Sequence, residues 1–388
     1  MATSIDMTKK SLIFTILVLG VLFHELVQGR KISETTNNKA IIKTIKGHID
    51  EIIDCYDIHK QPAFDDDLFH NHTIQMRLSS YPKGMGSNLG KIKVAHIWHK
   101  YGTCPEGSVP IRRSFGKIYH PKPTTDLPKY HELSEQSDDA DSNEFAVIRL
   151  VGDNFQGAQA TINVWKPPTN PGEFSASLIV IASNDYREVI QAGWEINKSL
   201  YGDDDPRFFL YWTADGYQST GCYNNLCPGF VQTSTTVTLG SSFKNTISVF
   251  KGVQYEASFS LVRDQSNGNW WVLVQGAEVG YLPPSLFKEL SEKATRIEYG
   301  GQVLNKRTDG GHTTTQMGSG HFPSEGGFGV SSFFRHVLVV DGSFKAKDPD
   351  VVLEFKTNPN CYDLKIDHGS AYGYSFYYGG PGFSATCQ

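Results

Sequence analysis

From Ala158 onward, apolar residues recur at a spacing of two in short runs that are closed by turn formers. Ala158, Ala160, Ile162 and Val164 make one set, Leu178 and Val180 alternate with Ile179 and Ile181 in another, and Tyr372, Tyr374, Phe376 and Tyr378 make a third. A period of two sends successive side chains to opposite faces of an extended chain, so these runs predict strands. Tyr255–Val262 and Trp270–Val274 predict a hairpin across Ser266-Asn267-Gly268-Asn269, because Asn-Gly supplies the positive φ angles of a tight turn. Many short antiparallel strands pack most simply as two facing sheets, so the predicted fold is all-β, an antiparallel β-sandwich. One helix is predicted in this half, Pro283–Lys293, from its leading Pro-Pro and from Leu286 and Leu290 spaced by four.

A chain of 388 residues has room for about two domains. With 39% hydrophobic and 20% charged residues it is neither a disordered polyelectrolyte nor a polytopic membrane protein. A formal charge of -5 argues against nucleic acid as a partner. Lys9-Lys10, the apolar run from Ser11 to Phe23 and small residues by Gly29 read as a cleaved signal peptide over residues 1–29. The apolar run is too short for a membrane span of ~20 residues. Secretion, to the extracellular space or a cell wall, is the expected destination, with no membrane attachment after cleavage.

An exported chain folds under oxidising conditions, which makes the six cysteines disulfide candidates. Their spacing favours Cys55–Cys104, Cys222–Cys227 and Cys361–Cys387 among the connectivities that six cysteines allow. A zinc site is the competing reading of the same residues, but neither C-x-x-C nor H-E-x-x-H occurs, so no metal and no cofactor is expected. Asn71-His72-Thr73 and Asn197-Lys198-Ser199 are acceptor sequons, giving Asn71 and Asn197 as glycosylation candidates.

Residues 120–143, rich in Pro, Ser and acidic side chains and almost free of aliphatic ones, read as a linker. Residues 30–119 before it form a small, near-neutral α+β module, with a helix predicted around Ile41–Ile53 from Ile42, Ile45, Ile49 and Ile53. Residues 144–388 after it form the larger, acidic β domain. The arrangement suggests a propeptide tethered to a catalytic domain; two domains that stay joined have the same pattern. His120, His131 and the acidic cluster change charge as pH falls, so acid is expected to promote cutting within the linker.

The chain has no G-x-S-x-G nucleophile elbow and no phosphate-binding G-x-x-x-x-G-K-[ST], and paired cysteines exclude thiol catalysis. Gly84-Met85-Gly86 reads as a turn, and the run His312 to His321 as a shaped loop or edge strand. Carboxyl chemistry remains. Glu195 shares a strand face with Gln191 and Gly193, while Ala192, Trp194 and Ile196 take the apolar face; Glu298, Gly300 and Gln302 likewise share a face. Glycine beside these polar residues leaves room for a substrate backbone. On these residues alone a solvated strand face is the simpler account.

These segments, together with GYQSTGCYNNLC, HTTTQMGSGHF and the terminal YYGGPG before Cys387, resemble the plant neprosin-like family over nearly the whole chain. Asp54-Cys55, Lys60-Gln61-Pro62-Ala63-Phe64 and Gly102-Thr103-Cys104-Pro105 look like its activation propeptide. The resemblance implies a secreted zymogen, inhibited by its own propeptide, whose β-sandwich is a glutamic endopeptidase that cleaves proline-containing substrates after proline at acidic pH. It implies a pair of glutamates, the first falling on Glu195 in A-G-W-E and the second on a G-G-E pattern. Here the second reads Gly300-Gly301-Gln302. The fungal eqolisins pair one Glu with one Gln on a β-sandwich, so a dyad of Glu195 as base then acid and Gln302 as oxyanion donor follows from the resemblance. Glu298 is a further acid on the same predicted face. The alternative is a weakened or inactive secreted domain that binds peptide or cell-wall material. A glycosidase would need two carboxylates ~5–9 Å apart, for which Glu195 lacks an evident acidic partner.

Overall fold

The computed structural model describes residues 40–47, 51–69, 71–85, 97–113, 142–306, 311–367 and 371–388. The signal-peptide reading falls outside these residues, as does the linker except for Ser142 and Asn143, which are already strand. Ile42–Gln388 is one compact unit.

β1 (Ile41–Lys46), β2 (Ile52–Asp57) and β3 (Ser108–Arg112) form a three-stranded sheet, and the Cys55–Cys104 disulfide ties it to the segment before β3. The helix predicted around Ile41–Ile53 is therefore two strands. A spacing of three or four isoleucines is compatible with either element over so short a stretch, and β-branched residues favour the extended one. Pairing of β2 with β3, more than fifty residues away in sequence, decides the outcome: Ile53, Cys55, Val109 and Ile111 are all buried.

The larger part is built on β4 (Ser142–Asn163), a 22-residue strand. It is followed by β5 (Ser175–Ala182), β6 (Val189–Ile196), β7 (Arg207–Thr213), β8 (Cys222–Tyr223) and β9 (Val231–Gln232), then β10 (Glu256–Arg263), β11 (Trp270–Val274), β12 (Ala277–Leu282) and β13 (Ala294–Asn305). The chain ends with β14 (Ser332–Asp341), β15 (Ala346–Lys347), β16 (Leu353–Lys356), β17 (Asp363–Asp367) and β18 (Ser375–Gly379). The first half of β4 pairs with β13 and β16, and the second half with β10 and β14. The exposed stretch around Val151–Asn154 marks the passage between the halves. One continuous strand thus serves two antiparallel sheets, β8-β7-β6-β5-β13-β4-β16 and β9-β12-β11-β10-β4-β14-β18-β17, so the sheet curls onto itself as the predicted sandwich.

Between the sheets lie Ala158, Ala160 and Ile162 of β4, Ile179 and Ile181 of β5, Trp194 of β6, Phe208 of β7 and Phe259 of β10. Trp194 is fully buried and its indole N–H donates to the Asn163 carbonyl at 3.0 Å. Truncating a buried aromatic of this size costs ~3–5 kcal/mol. β5 is buried on both faces, because Ala176, Leu178 and Val180 join a second apolar cluster on the outer side with Phe209 and Tyr211. That second cluster is the floor of the site described below.

The hairpin between β10 and β11 forms where predicted. The predicted helix Pro283–Lys293 is instead one 3₁₀ turn, Pro284–Leu286, followed by turns. The Glu188 carboxylate accepts from the backbone N–H of Lys288 at 2.7 Å and of Leu290 at 2.8 Å, taking donors that a helix would direct to its own carbonyls. All three predicted disulfides are present, which removes the cysteines from zinc chemistry.

Candidate active site

Antiparallel registers place residues from five strands in a single transverse row. Arg207 lies opposite Glu195, Glu195 opposite Ala176, Ala176 opposite Gln302 and Gln302 opposite Phe145. Residues directly opposite one another point to the same side of a sheet. Glu195 and Gln302 therefore share the outer face, two strand spacings or roughly 10 Å apart at Cα. The residue between them in the row is Ala176, whose side chain is a single methyl group; Glu195 bonds to Tyr201 on one side of it and Gln302 to Asn143 on the other.

Glu195 is 1% exposed. The Tyr201 hydroxyl donates to its Oε1 at 2.7 Å, and the Asn197 side chain also bonds to it. Burial pushes the carboxyl pKa up to about 8, against the opposing effect of these two hydrogen bonds. Tyr201 is held in place by one helical turn, Lys198–Tyr201, whose first free N–H groups are capped by Asn197 accepting from Leu200 N at 3.2 Å. Asn224 donates to the Tyr201 hydroxyl at 3.2 Å, completing a chain from Asn224 through Tyr201 to Glu195. Burial beside the Glu195 carboxyl raises the Tyr201 pKa well above its ordinary value, so the phenol keeps its proton. Asn197, read as a glycan acceptor, is buried, and its side chain is used in the cap and on Glu195. Asn71 is exposed.

Gln302 donates through Nε2 to Asn143 Oδ1 at 2.9 Å. Glu298 shares the outer face but cannot stand in for an acid at 302. It lies four residues along β13, roughly 13 Å away, and accepts from Arg149 Nε at 2.6 Å and from the Tyr186 hydroxyl. The intervening row holds Gly193 and Gly300, for which a different reason emerges from the one the sequence suggested. A Cβ on Gly193 would meet the Ser177 carbonyl oxygen at 2.0 Å, and one on Gly300, whose φ is +153, would meet that of Ala146 at 2.2 Å. Close approach of neighbouring strands requires these glycines.

Beyond the row, Tyr211 stacks on Tyr217 with centroids 5.8 Å apart and packs against Tyr223 at 4.5 Å, forming an aromatic wall beside Leu178 and Phe209. His312 and His321 do not reach this face. His312 Nε2 is 2.8 Å from Glu144 Oε1, and His321 Nδ1 is 2.8 Å from Glu325 Oε2.

Residues before the linker reach the site's edge. Arg112 of β3 lies 5.7 Å from the Tyr201 ring centroid and donates to the Tyr201 carbonyl at 3.2 Å, with a small pocket between Arg112, Tyr201, Asn224 and Gly240. Elsewhere Gln61 exchanges hydrogen bonds with the Gln232 backbone at 2.8 and 3.0 Å. Asp264 accepts from the Ser79 N–H and hydroxyl and from Gln75 Nε2, each at 2.7 Å. His72 meets the Tyr281 hydroxyl at 2.7 Å.

Tyr201 and Asn143 escaped the sequence reading, and Asn197 entered it only as a sequon. Asn-x-Ser is a helix cap as well as a sequon, and only the cap reading leads from Glu195 to Tyr201.

Residues 171–381, more than half of the chain, match the family model described as Neprosin, and residues 41–148 match the Neprosin activation peptide. The second match runs on into the first half of β4. Among solved structures, the chain is similar to scytalido-glutamic peptidase with a peptide-based transition-state analogue, at 13% identity over 61% of this chain and 97% of that one, TM-score 0.35. It is similar to SCP-B, a member of the eqolisin family of peptidases in complex with the tripeptide Ala-Ile-His, at 12% identity over 61% and 97%, TM-score 0.33. It is also similar to the carbohydrate-binding module CBM66 from Bacillus subtilis, at 8% identity over 43% and 80%, TM-score 0.24. Matched over its sandwich and over the segment before it, the chain belongs to the neprosin family and carries that family's activation peptide.

Proposed function

We propose that this protein is the precursor of a secreted glutamic endopeptidase that cleaves after proline at acidic pH. The observation that carries the reading is the row in which Glu195 and Gln302 flank Ala176 on one face, with the Tyr201 hydroxyl on the Glu195 carboxyl.

The chemistry follows from those groups. Glu195 as carboxylate takes a proton from a water molecule while the oxygen of that water attacks the scissile carbonyl carbon. The Gln302 amide N–H donates to the resulting oxyanion. Glu195 then gives its proton to the leaving nitrogen, the C–N bond breaks, and the products are a carboxylic acid and an amine. In the precursor, burial keeps the Glu195 carboxyl protonated below about pH 8, a form unable to act as base. Removal of the activation peptide, of which Arg112 touches Tyr201, admits water and returns the carboxyl towards its ordinary range. The aromatic wall of Tyr211, Tyr217 and Tyr223 offers flat apolar surface suited to a pyrrolidine ring, in keeping with proline preference.

On this reading maturation cuts within the 120–143 linker, and Asn71 and Asn197 are the candidate glycan acceptors. The test is product mapping: the matured protein is given a mixed peptide substrate and the new C-termini are sequenced by mass spectrometry. Termini concentrated at proline support the reading, and termini spread without regard to proline overturn the specificity. A second reading, a binding module that retains the groove, is favoured by Gln302 standing where the family pattern has an acid. Such a module would keep its peptide ligand after Glu195→Gln and release no products.

A further inference from the structure

The first residues after the linker are fastened to β13 from both faces. Ser142 lies opposite Asn305, Asn143 opposite Leu304 and Glu144 opposite Val303. On the inner face, Glu144 Oε1 accepts from Asn305 Nδ2 at 2.8 Å and lies 2.8 Å from His312 Nε2. On the outer face, Asn143 Oδ1 accepts from Gln302 Nε2 at 2.9 Å. The backbone of residue 143 is therefore held in the β4–β13 ladder, where its side chain meets the Gln302 amide.

A primary amide is nearly symmetric in shape, and a half-turn about its last bond exchanges donor for acceptor. A Gln can stabilise an oxyanion only with its N–H end presented; with the carbonyl oxygen presented it would repel the developing charge. An acceptor beside the nitrogen selects the useful orientation and occupies one of its two N–H groups, leaving the other to donate. We propose that Asn143 is the positioning residue for Gln302, holding its amide in the donating orientation. The activation cut must then leave residue 143 paired in β4, because a mature chain lacking it would leave the Gln302 amide free to turn over. This inference rests on the peptidase reading of the site.

The experiment compares Asn143→Ala and Asn143→Asp in the full chain and after maturation. An Asp at this position is an acceptor only, so it supplies the same selection of orientation, whereas Ala supplies none. Peptide cleavage should show kcat lowered at least tenfold in Asn143→Ala with KM changed less than threefold, and most of that loss recovered in Asn143→Asp. Equal kcat in the Ala and Asp variants, whether lowered or not, would overturn the inference. An independent readout on the full chain is the Gln302 side-chain ¹⁵N–¹H pair, identified by its loss in Gln302→Glu. Its exchange with solvent should be at least tenfold faster in Asn143→Ala than in the parent and Asn143→Asp; an unchanged rate in Asn143→Ala would overturn the inference. A parent that cleaves nothing, or whose activity survives Glu195→Gln, counts against the peptidase reading, and the exchange measurement then decides the role of Asn143 separately.

Discussion

Arg207 stands directly opposite Glu195 across the β6–β7 ladder and yet does not pair with it. Its guanidinium donates to Asp203 at 3.0 and 2.6 Å and to the Gly240 carbonyl at 2.6 Å. Asp203 thereby withholds a cation from the buried carboxyl and leaves Glu195 to the neutral donors Tyr201 and Asn197. Asp203→Asn should weaken that hold on Arg207, bring positive charge to bear on Glu195 and lower its pKa. The acid limb of the pH–rate profile of the matured protein should move to lower pH. An unmoved limb would show that Arg207 exerts no influence on the carboxyl.

Tyr201→Phe removes the hydroxyl that donates to Glu195 and accepts from Asn224. Because that hydrogen bond lowers the Glu195 pKa, its loss should raise it, moving the acid limb upward, the reverse of Asp203→Asn. The precursor should lose about 1–3 kcal/mol, the usual cost of leaving a buried polar partner unsatisfied. Denaturant titration and the pH–rate profile check the two effects separately.

The raised pKa of Glu195 makes precursor stability depend on pH with a definite sign. Between its ordinary value of 4.5 and about 8, the folded chain keeps a proton that the unfolded chain has given up. The stabilising contribution is complete below about pH 4.5 and is lost as pH rises through about 8, amounting to a few kcal/mol. Glu195→Gln cannot ionise, so its Tm should fall less than the parent's between about pH 5 and 8. Parallel Tm profiles for the two proteins would contradict the assignment.

The contacts of the activation peptide with the sandwich differ in their response to acid. Hydrogen bonds from Ser266 and from the Ser79 and Gln75 side of the interface, acting against burial, depress the Asp264 pKa to about 2. Its contribution is complete above about pH 4 and is lost only as pH falls through about 2. Burial lowers the pKa of His72, so its contact with Tyr281 is favoured above the ordinary histidine value and weakens as pH falls below it. Limited proteolysis at about pH 4 should therefore open the chain around His72 before the Ser79 contact, and His72→Gln should reduce the acid sensitivity of that region. Equal acid sensitivity in parent and His72→Gln would place the labile contact elsewhere.

How much of this was legible in the sequence depended on how local the information was. The two-faced burial of β5 is written in the alternation of Leu178 and Val180 with Ile179 and Ile181, and the cysteine spacing anticipated each disulfide. Ile41–Ile53 misled because its partner strand begins at Ser108, and Pro283–Lys293 because Glu188, about a hundred residues earlier, takes its backbone donors. Glu195 and Gln302 were found through their motifs, but their common row rests on the registers of β5 with β6 and β13. The Gln302–Asn143 bond joins residues 159 apart in sequence, a relation that no short pattern contains.

The most direct test of the central claim is cleavage of a proline-containing fluorogenic peptide by the matured protein between about pH 3 and 6, measured for the parent, Glu195→Gln and Gln302→Glu. The account predicts activity in the parent and its loss by at least a hundredfold, ~10² or more, in Glu195→Gln, with Gln302→Glu remaining active. A silent parent that gains activity only in Gln302→Glu, or a parent indifferent to Glu195→Gln, would contradict a working dyad of Glu195 and Gln302.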